Sequence, residues 1–329
     1  MKMRKLSGPQ SYSALAVFFS VIGLCHADIP LRPGVACHFA EVNEGVRILT
    51  TRDDFIVRLS AFDRSARMKT DKSVSEEEFL AFLRANVSAW ADEEKRTIKS
   101  AIDHIRSGLE ALPLSFSKVI YFVKTTGEEE GKAFYTRDTA VVIPREQLTS
   151  NSEALEKAIG HELFHILSRE NPELRERLYA TIGFYNCPEI EFPAQLKPRK
   201  ITNPDAPRND HFIRLQADGR EILAVPVLFS SAEKYDVSRG GEFFQYLQFK
   251  FLVVEKTGES SFKIVIEGGQ PKLLAPNQVS GFFEQVGHNT EYVIHPEEIL
   301  ADNFALLVRG DLAASPEILQ KMKQVLEQK

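Results

Sequence analysis

Residues 150–172 read Ser-Asn-Ser-Glu-Ala-Leu-Glu-Lys-Ala-Ile-Gly-His-Glu-Leu-Phe-His-Ile-Leu-Ser-Arg-Glu-Asn-Pro. Their spacing predicts one amphipathic helix. Ser150 and Glu153 have the separation of a capping box, and Asn171-Pro172 marks the stop, because a proline disfavours helical geometry in the residue before it. Leu155, Ile159, Leu163 and Ile166 recur at helical spacing and form an apolar stripe. His161 and His165, four residues apart, project from the same side about one turn apart. Two imidazoles so placed can bind one Zn²⁺, and Glu162, one position on, points at the edge of the same site. Ala158 and Gly160 leave room there for an ion and a ligand.

Catalytic zinc takes three protein ligands and keeps one position open. The extended pattern His-Glu-x-x-His-x-x-Gly-x-x-His fails, because Ser168 and Asn171 stand where Gly and His are required. The third ligand must come from elsewhere, and a second predicted helix offers one: His295-Pro296-Glu297-Glu298-Ile299-Leu300-Ala301-Asp302. Glu298 and Asp302 share a face, while Leu300, Phe304 and Leu307 form an apolar one. A ligating carboxylate with another one turn on suits zinc, since a ligating imidazole needs its other N–H held by an acceptor. Glu297 is the rival ligand but has no acid four residues later, and both glutamates also favour a helix N-terminus.

This pair of helices resembles the glutamate-ligand branch of the zincin metallopeptidases, the gluzincins. The resemblance rests on His161-Glu162-x-x-His165, on Glu298-x-x-x-Asp302 and on the strand before the first helix. Between the two metal-ligand helices the sequence itself reads as an inserted β-rich segment, which the resemblance does not cover. The resemblance implies an α+β fold, with a zincin-like catalytic domain of mixed sheet and active-site helix. It also implies that His161, His165 and Glu298 hold Zn²⁺, that Glu162 is general base to a zinc-activated water, and that Asp302 orients His161. Phe134 to Ile143 becomes the sheet edge that holds an extended peptide through main-chain bonds. The family places a Tyr or His donor near the oxyanion, a role open here to Tyr292, His295 and His288. The expected activity is that of a zinc metallopeptidase acting on a peptide or protein. The alternative is a catalytically inactive zincin-like binding protein.

The rest of the chain fits around these helices. Its 329 residues are enough for one large domain or two modest ones. A formal charge of -5 without a long basic block leaves no electrostatic reason for a nucleic-acid partner. Lys2, Arg4 and Lys5, an apolar run from Ala14 to Leu24 and then Cys25-His26-Ala27 predict a signal peptide over residues 1–27. The expected product is exported, periplasmic or extracellular, with no membrane span after cleavage. Cys37 and Cys187 remain, as one disulfide or as two buried thiols.

Residues 28–114 read as a mostly helical N-terminal region. To about residue 60 it reads as irregular structure and short strands, followed by helices from Ser75 to Leu83 and from Asp92 to Leu109. Residues 115–185 would form the first half of the catalytic domain, with strands Val119–Val123 and Phe134–Ile143 around a turn with an acidic tip. Residues 186–284 would be the β-rich insertion: a loop to about residue 210, then strands Ile222–Phe229, Phe243–Val254 and Phe262–Ile266, with a hairpin turn at Lys256–Glu259. Residues 285–329 would be the second half, with helices from Pro296 and from about Pro316.

Overall fold

The computed structural model describes residues 28–149 and 151–328. The expected signal peptide and the expected Ser150 cap therefore lie outside the described residues. The chain forms an α+β fold on two main sheets, beside a two-stranded ribbon of Ile266–Glu267 and Gln270–Pro271. The first is built from β1 (Ile29–Arg32), β2 (Val35–Phe39), β3 (Val119–Thr125), β4 (Tyr135–Arg137) and β5 (Ala140–Pro144), in the order β1-β2-β3-β5-β4. Its three central strands are parallel, and β1 and β4 run antiparallel at the edges. Strands from 28–114 and from 115–185 thus share one sheet.

Central parallel strands are covered on both faces, which explains their unbroken apolar runs. Val141 and Ile143 point to one face, Ala140 and Val142 to the other. The second face is covered by α1 (Val42–Leu49), α2 (Asp54–Arg58) and α4 (Glu76–Asn86), through Leu49, Phe55, Phe79 and Leu83; α3 (Ala61–Arg67) follows α2. Residues 28–60 contain the expected short strands, two of them, and two helices where irregular structure was expected. Glu44 caps α1 by reaching back to accept from the Glu41 N–H at 2.9 Å. The helix at Ser75 starts as its capping box predicts.

The first face carries α5 (Asp92–Glu110) and α6 (Ser152–Glu170). The predicted stripe Ile98, Ile102, Ile105 and Leu109 is wholly buried on α5. Asn151 caps α6 by accepting from the Ala154 N–H, and α7 (Pro172–Ala180) begins at the expected stop. After α8 (Phe283–Val286), α9 (Pro296–Arg309) wedges between α5 and α6, and α10 (Pro316–Glu327) closes the chain. Two glycines allow the wedge. A Cβ on Gly160 would lie 3.3 Å from Ala305 Cα, and one on Gly108 would lie 1.8 Å from the Val308 carbonyl oxygen.

The second sheet is an antiparallel meander of β6 (Phe184–Asn186), β7 (His211–Ala217), β8 (Arg220–Ser230), β9 (Leu247–Gly258) and β10 (Ser261–Ile264). β9 loses its alternation at residues 251–254. Phe251 and Val253 join the main core, while Leu252 and Val254 join a second cluster with Ile190 and Phe192.

Two expectations change, and the acidic tip turns inward. The single strand Phe134–Ile143 is a hairpin, broken where Asp138 takes a φ of 53°. The turn expected at Lys256–Glu259 falls at Glu259–Ser260, because β9 runs on through Gly258. The acidic tip of Glu128–Glu130 is not solvated: Glu129 and Glu130 are buried, and Glu130 takes both arms of Arg67 at 2.8 Å. Cys37 and Cys187 are separate free thiols in different core clusters. Burial pushes each up to about 12. Among the described residues no helix is long and apolar enough to cross a membrane.

Candidate metal centre

Packing α6 against α9 brings His161, His165 and Glu298 together, with donor atoms all within 4.8 Å of one another. Glu298 Oε2 lies 3.1 Å from His161 Nε2 and 3.7 Å from His165 Nε2. The imidazoles are held from behind by carboxylates of the same helix. His161 Nδ1 donates to Asp302 Oδ1 at 3.1 Å, and His165 Nδ1 donates to Glu297 Oε1 at 3.0 Å. Adjacent glutamates thus divide the work. Glu298 faces the Nε2 atoms, whereas Glu297 turns to the far side and is also held by Ser168 Oγ at 2.8 Å and by the Tyr179 hydroxyl.

The donor set of two nitrogens and a carboxylate oxygen fits zinc and leaves room for a further ligand. The strongest sign that something belongs there is polar dissatisfaction. His165 Nε2 and Glu162 Oε2 are buried with no hydrogen-bond partner. A buried polar atom without a partner is costly, and a cation among these donors would relieve both.

Charge accumulates accordingly. Burial alone would depress both imidazoles, yet Asp302 and Glu298 lift His161 well above its ordinary range. Asp205, Glu298 and Glu297 lift His165, against burial, to about 9. Burial first, then Asp205, raises Glu162 to about 8. Burial also opposes ionisation of Glu298, but the two imidazoles and Asn203 hold it down at about 2. Asp302, held by His161 and Thr290, is likewise near about 2 despite its burial. A site where carboxylates outnumber imidazoles favours a divalent cation.

The centre opens into a cavity of about 460 Å³ lined by His161, Glu162, Glu298 and Tyr292, with an apolar wall that includes Phe134, Leu228 and Phe243. Of the three candidate oxyanion donors, Tyr292 alone lines it. His295 caps α9 instead, its Nδ1 accepting from the Glu297 N–H at 3.1 Å, and faces a neighbouring cavity. His288 is exposed and stacks on Phe283 with ring centroids 5.3 Å apart, so it takes no part in the cleft.

The sequence reading missed Glu297 as the support of His165 and missed two residues of the loop before β7. Asn203 Nδ2 donates to Glu298 Oε1 at 2.6 Å. Asp205 forms a second group of potential metal donors with Glu162 and His165. The pairing of Glu297 with Glu298 was visible as a choice between them; the use of both was not. Nothing local marks Asn203 or Asp205. No family model matches the chain, and neither a curated protein nor a solved structure is significantly similar to it.

Proposed function

We propose that this chain is an exported zinc-dependent peptidase of the gluzincin type, with His161, His165 and Glu298 as ligands and Glu162 as general base. The observation that carries the reading is the approach of His161 Nε2 to Glu298 Oε2 at 3.1 Å across 137 positions of sequence, with Asp302 behind the imidazole. The buried, partnerless Glu162 Oε2 beside that pair adds a base with no structural task.

Bound zinc would polarise a carbonyl and acidify a coordinated water. The protein's own contribution is positional. Asp302 and Glu297 fix the tautomers, leaving both Nε2 atoms as donors. Glu162, lining the cavity, takes a proton from the attacking water and passes it to the leaving amine. The cation's charge would pull its raised carboxyl back toward ionisation. Tyr292, which lines the same cavity, would donate to the oxyanion. The apolar wall keeps water away from the reacting carbonyl.

The test is peptide hydrolysis by the purified chain, with chelation and zinc readdition as control. Glu162→Gln is expected to retain zinc and lose roughly 10²–10⁴-fold in rate. A chain that holds zinc but cleaves no peptide supports the inactive binding protein instead. Full activity in Glu162→Gln removes Glu162 as the base.

A further inference from the structure

Segment 203–207 crosses the cleft between the metal centre and edge strand β4. Pro204 and Asp205 line both the cavity that holds Glu162 and Glu298 and a neighbouring one of about 600 Å³ that holds His165 and residues 136–140. These two residues thus stand between the two cavities. The segment's flanks are tied down. Thr202 bonds Asp63 through its N–H at 3.1 Å and its hydroxyl at 2.8 Å, and Arg208 Nε donates to Asp54 at 2.8 Å.

Asp205 Oδ1 accepts from the Thr136 N–H at 2.8 Å and from the Thr136 hydroxyl. Thr136 is the middle residue of the three-residue β4, which pairs with β5 on its other side. Outward N–H groups alternate along a strand, so Thr136 carries the donor this edge would offer an incoming peptide. Asp205 already occupies it. Asp205, Glu162 and His165 also present donor atoms within 4.8 Å of one another. Two atoms of that group, Glu162 Oε2 and His165 Nε2, are the partnerless ones, on side chains of residues 4% and 1% exposed.

We propose that Asp205 is a further donor to the bound ion in a closed resting state, and that segment 203–207 is a latch that lifts before an extended peptide pairs with β4. The inference rests on the zinc reading above. Opening would replace the Asp205 oxygen at the ion by a water, break the Asn203–Glu298 hydrogen bond and release the Thr136 N–H; no covalent bond breaks and no electron is transferred. Pro204 and Pro207 restrict the segment, so it moves as a unit between its tied ends.

The test compares wild type with Asp205→Ala, Asp205→Asn and Pro204→Gly in the full chain. The readouts are zinc competition with a chromophoric chelator, the visible spectrum of the Co²⁺-substituted protein, and hydrolysis of a peptide long enough to lie along β4. Asp205→Ala should bind zinc about tenfold more weakly, shift the Co²⁺ bands and raise kcat/KM about tenfold. Asp205→Asn keeps an acceptor for the Thr136 N–H, so it should shift the bands with little gain in kcat/KM. Pro204→Gly keeps every side-chain donor while loosening the latch, so it should raise kcat/KM with unchanged bands; it also serves if an Asp205 variant fails to fold. Wild-type affinity and bands in both Asp205 variants overturn the donor role, and a fall in kcat/KM for Asp205→Ala or Pro204→Gly overturns the latch. A wild-type chain that takes up no stoichiometric ion overturns the zinc reading itself, an outcome distinct from either.

Discussion

Replacing Glu297 by Gln separates the charge of this residue from its shape. The carboxylate has three donors around it: His165 Nδ1 on Oε1, and Ser168 Oγ and the Tyr179 hydroxyl on Oε2. A glutamine can keep its oxygen toward His165 and turn its NH₂ toward the hydroxyls, which rotate to accept. The fold should therefore lose only about 1 kcal/mol, roughly 2–4 °C in thermal midpoint. The imidazole loses its anionic partner, a change that typically weakens metal binding by about 10–100-fold. Glu297→Ala removes the acceptors altogether. At about 1–3 kcal/mol for each buried donor left unmade, it should cost at least about 3 kcal/mol. Competition with a chromophoric chelator measures the first effect and thermal unfolding of the metal-free chain the second. Wild-type zinc affinity in Glu297→Gln would refute the assignment of Glu297 as the support of His165.

Gly108→Ala would add a Cβ 1.8 Å from the Val308 carbonyl oxygen. Alanine is the better helix former, by about 1 kcal/mol, so propensity alone predicts stabilisation; overpacking against backbone predicts a loss of about 1–3 kcal/mol or more, read as a lower thermal midpoint. Zinc affinity should tighten as pH rises toward about 9, because the raised imidazoles must shed protons before they can ligate. Calorimetry in buffers of different ionisation enthalpy would show uptake of zinc with release of one to two protons, and no release contradicts it. In the metal-free chain the raised pKa of His165 stabilises the fold fully below its ordinary 6.5, and that contribution disappears as pH climbs through about 9. Urea unfolding of the metal-free chain at pH 6 and pH 10 would measure it.

Both helices of the centre were legible because their signals are local. The His161 and His165 spacing, the apolar stripe and the Asn171-Pro172 stop all lie within one helix. The Glu298 and Asp302 spacing likewise lies within one turn of another. The remainder depends on partners distant in sequence. Glu130 is buried because Arg67, 63 positions away, neutralises it. Asp205 reaches the centre because Asp63 fastens Thr202 from 139 positions away. The strand reading failed at Asp138 for a different reason. Asp138 tolerates the left-handed geometry and is itself a turn former, but the β-formers on both sides masked that single signal.

Three carboxylates meet the two imidazoles, and all three ride on α9 within its first two turns. Sliding that rod by one residue would shift it about 1.5 Å and turn it about 100°, carrying Glu297, Glu298 and Asp302 out of register together. The one α9 ligand and the supports of both imidazoles would therefore be lost together. Apolar contacts such as Phe164 on Phe304, which supply no donor themselves, fix the axial position of α9 and would thereby set how tightly an ion could be held.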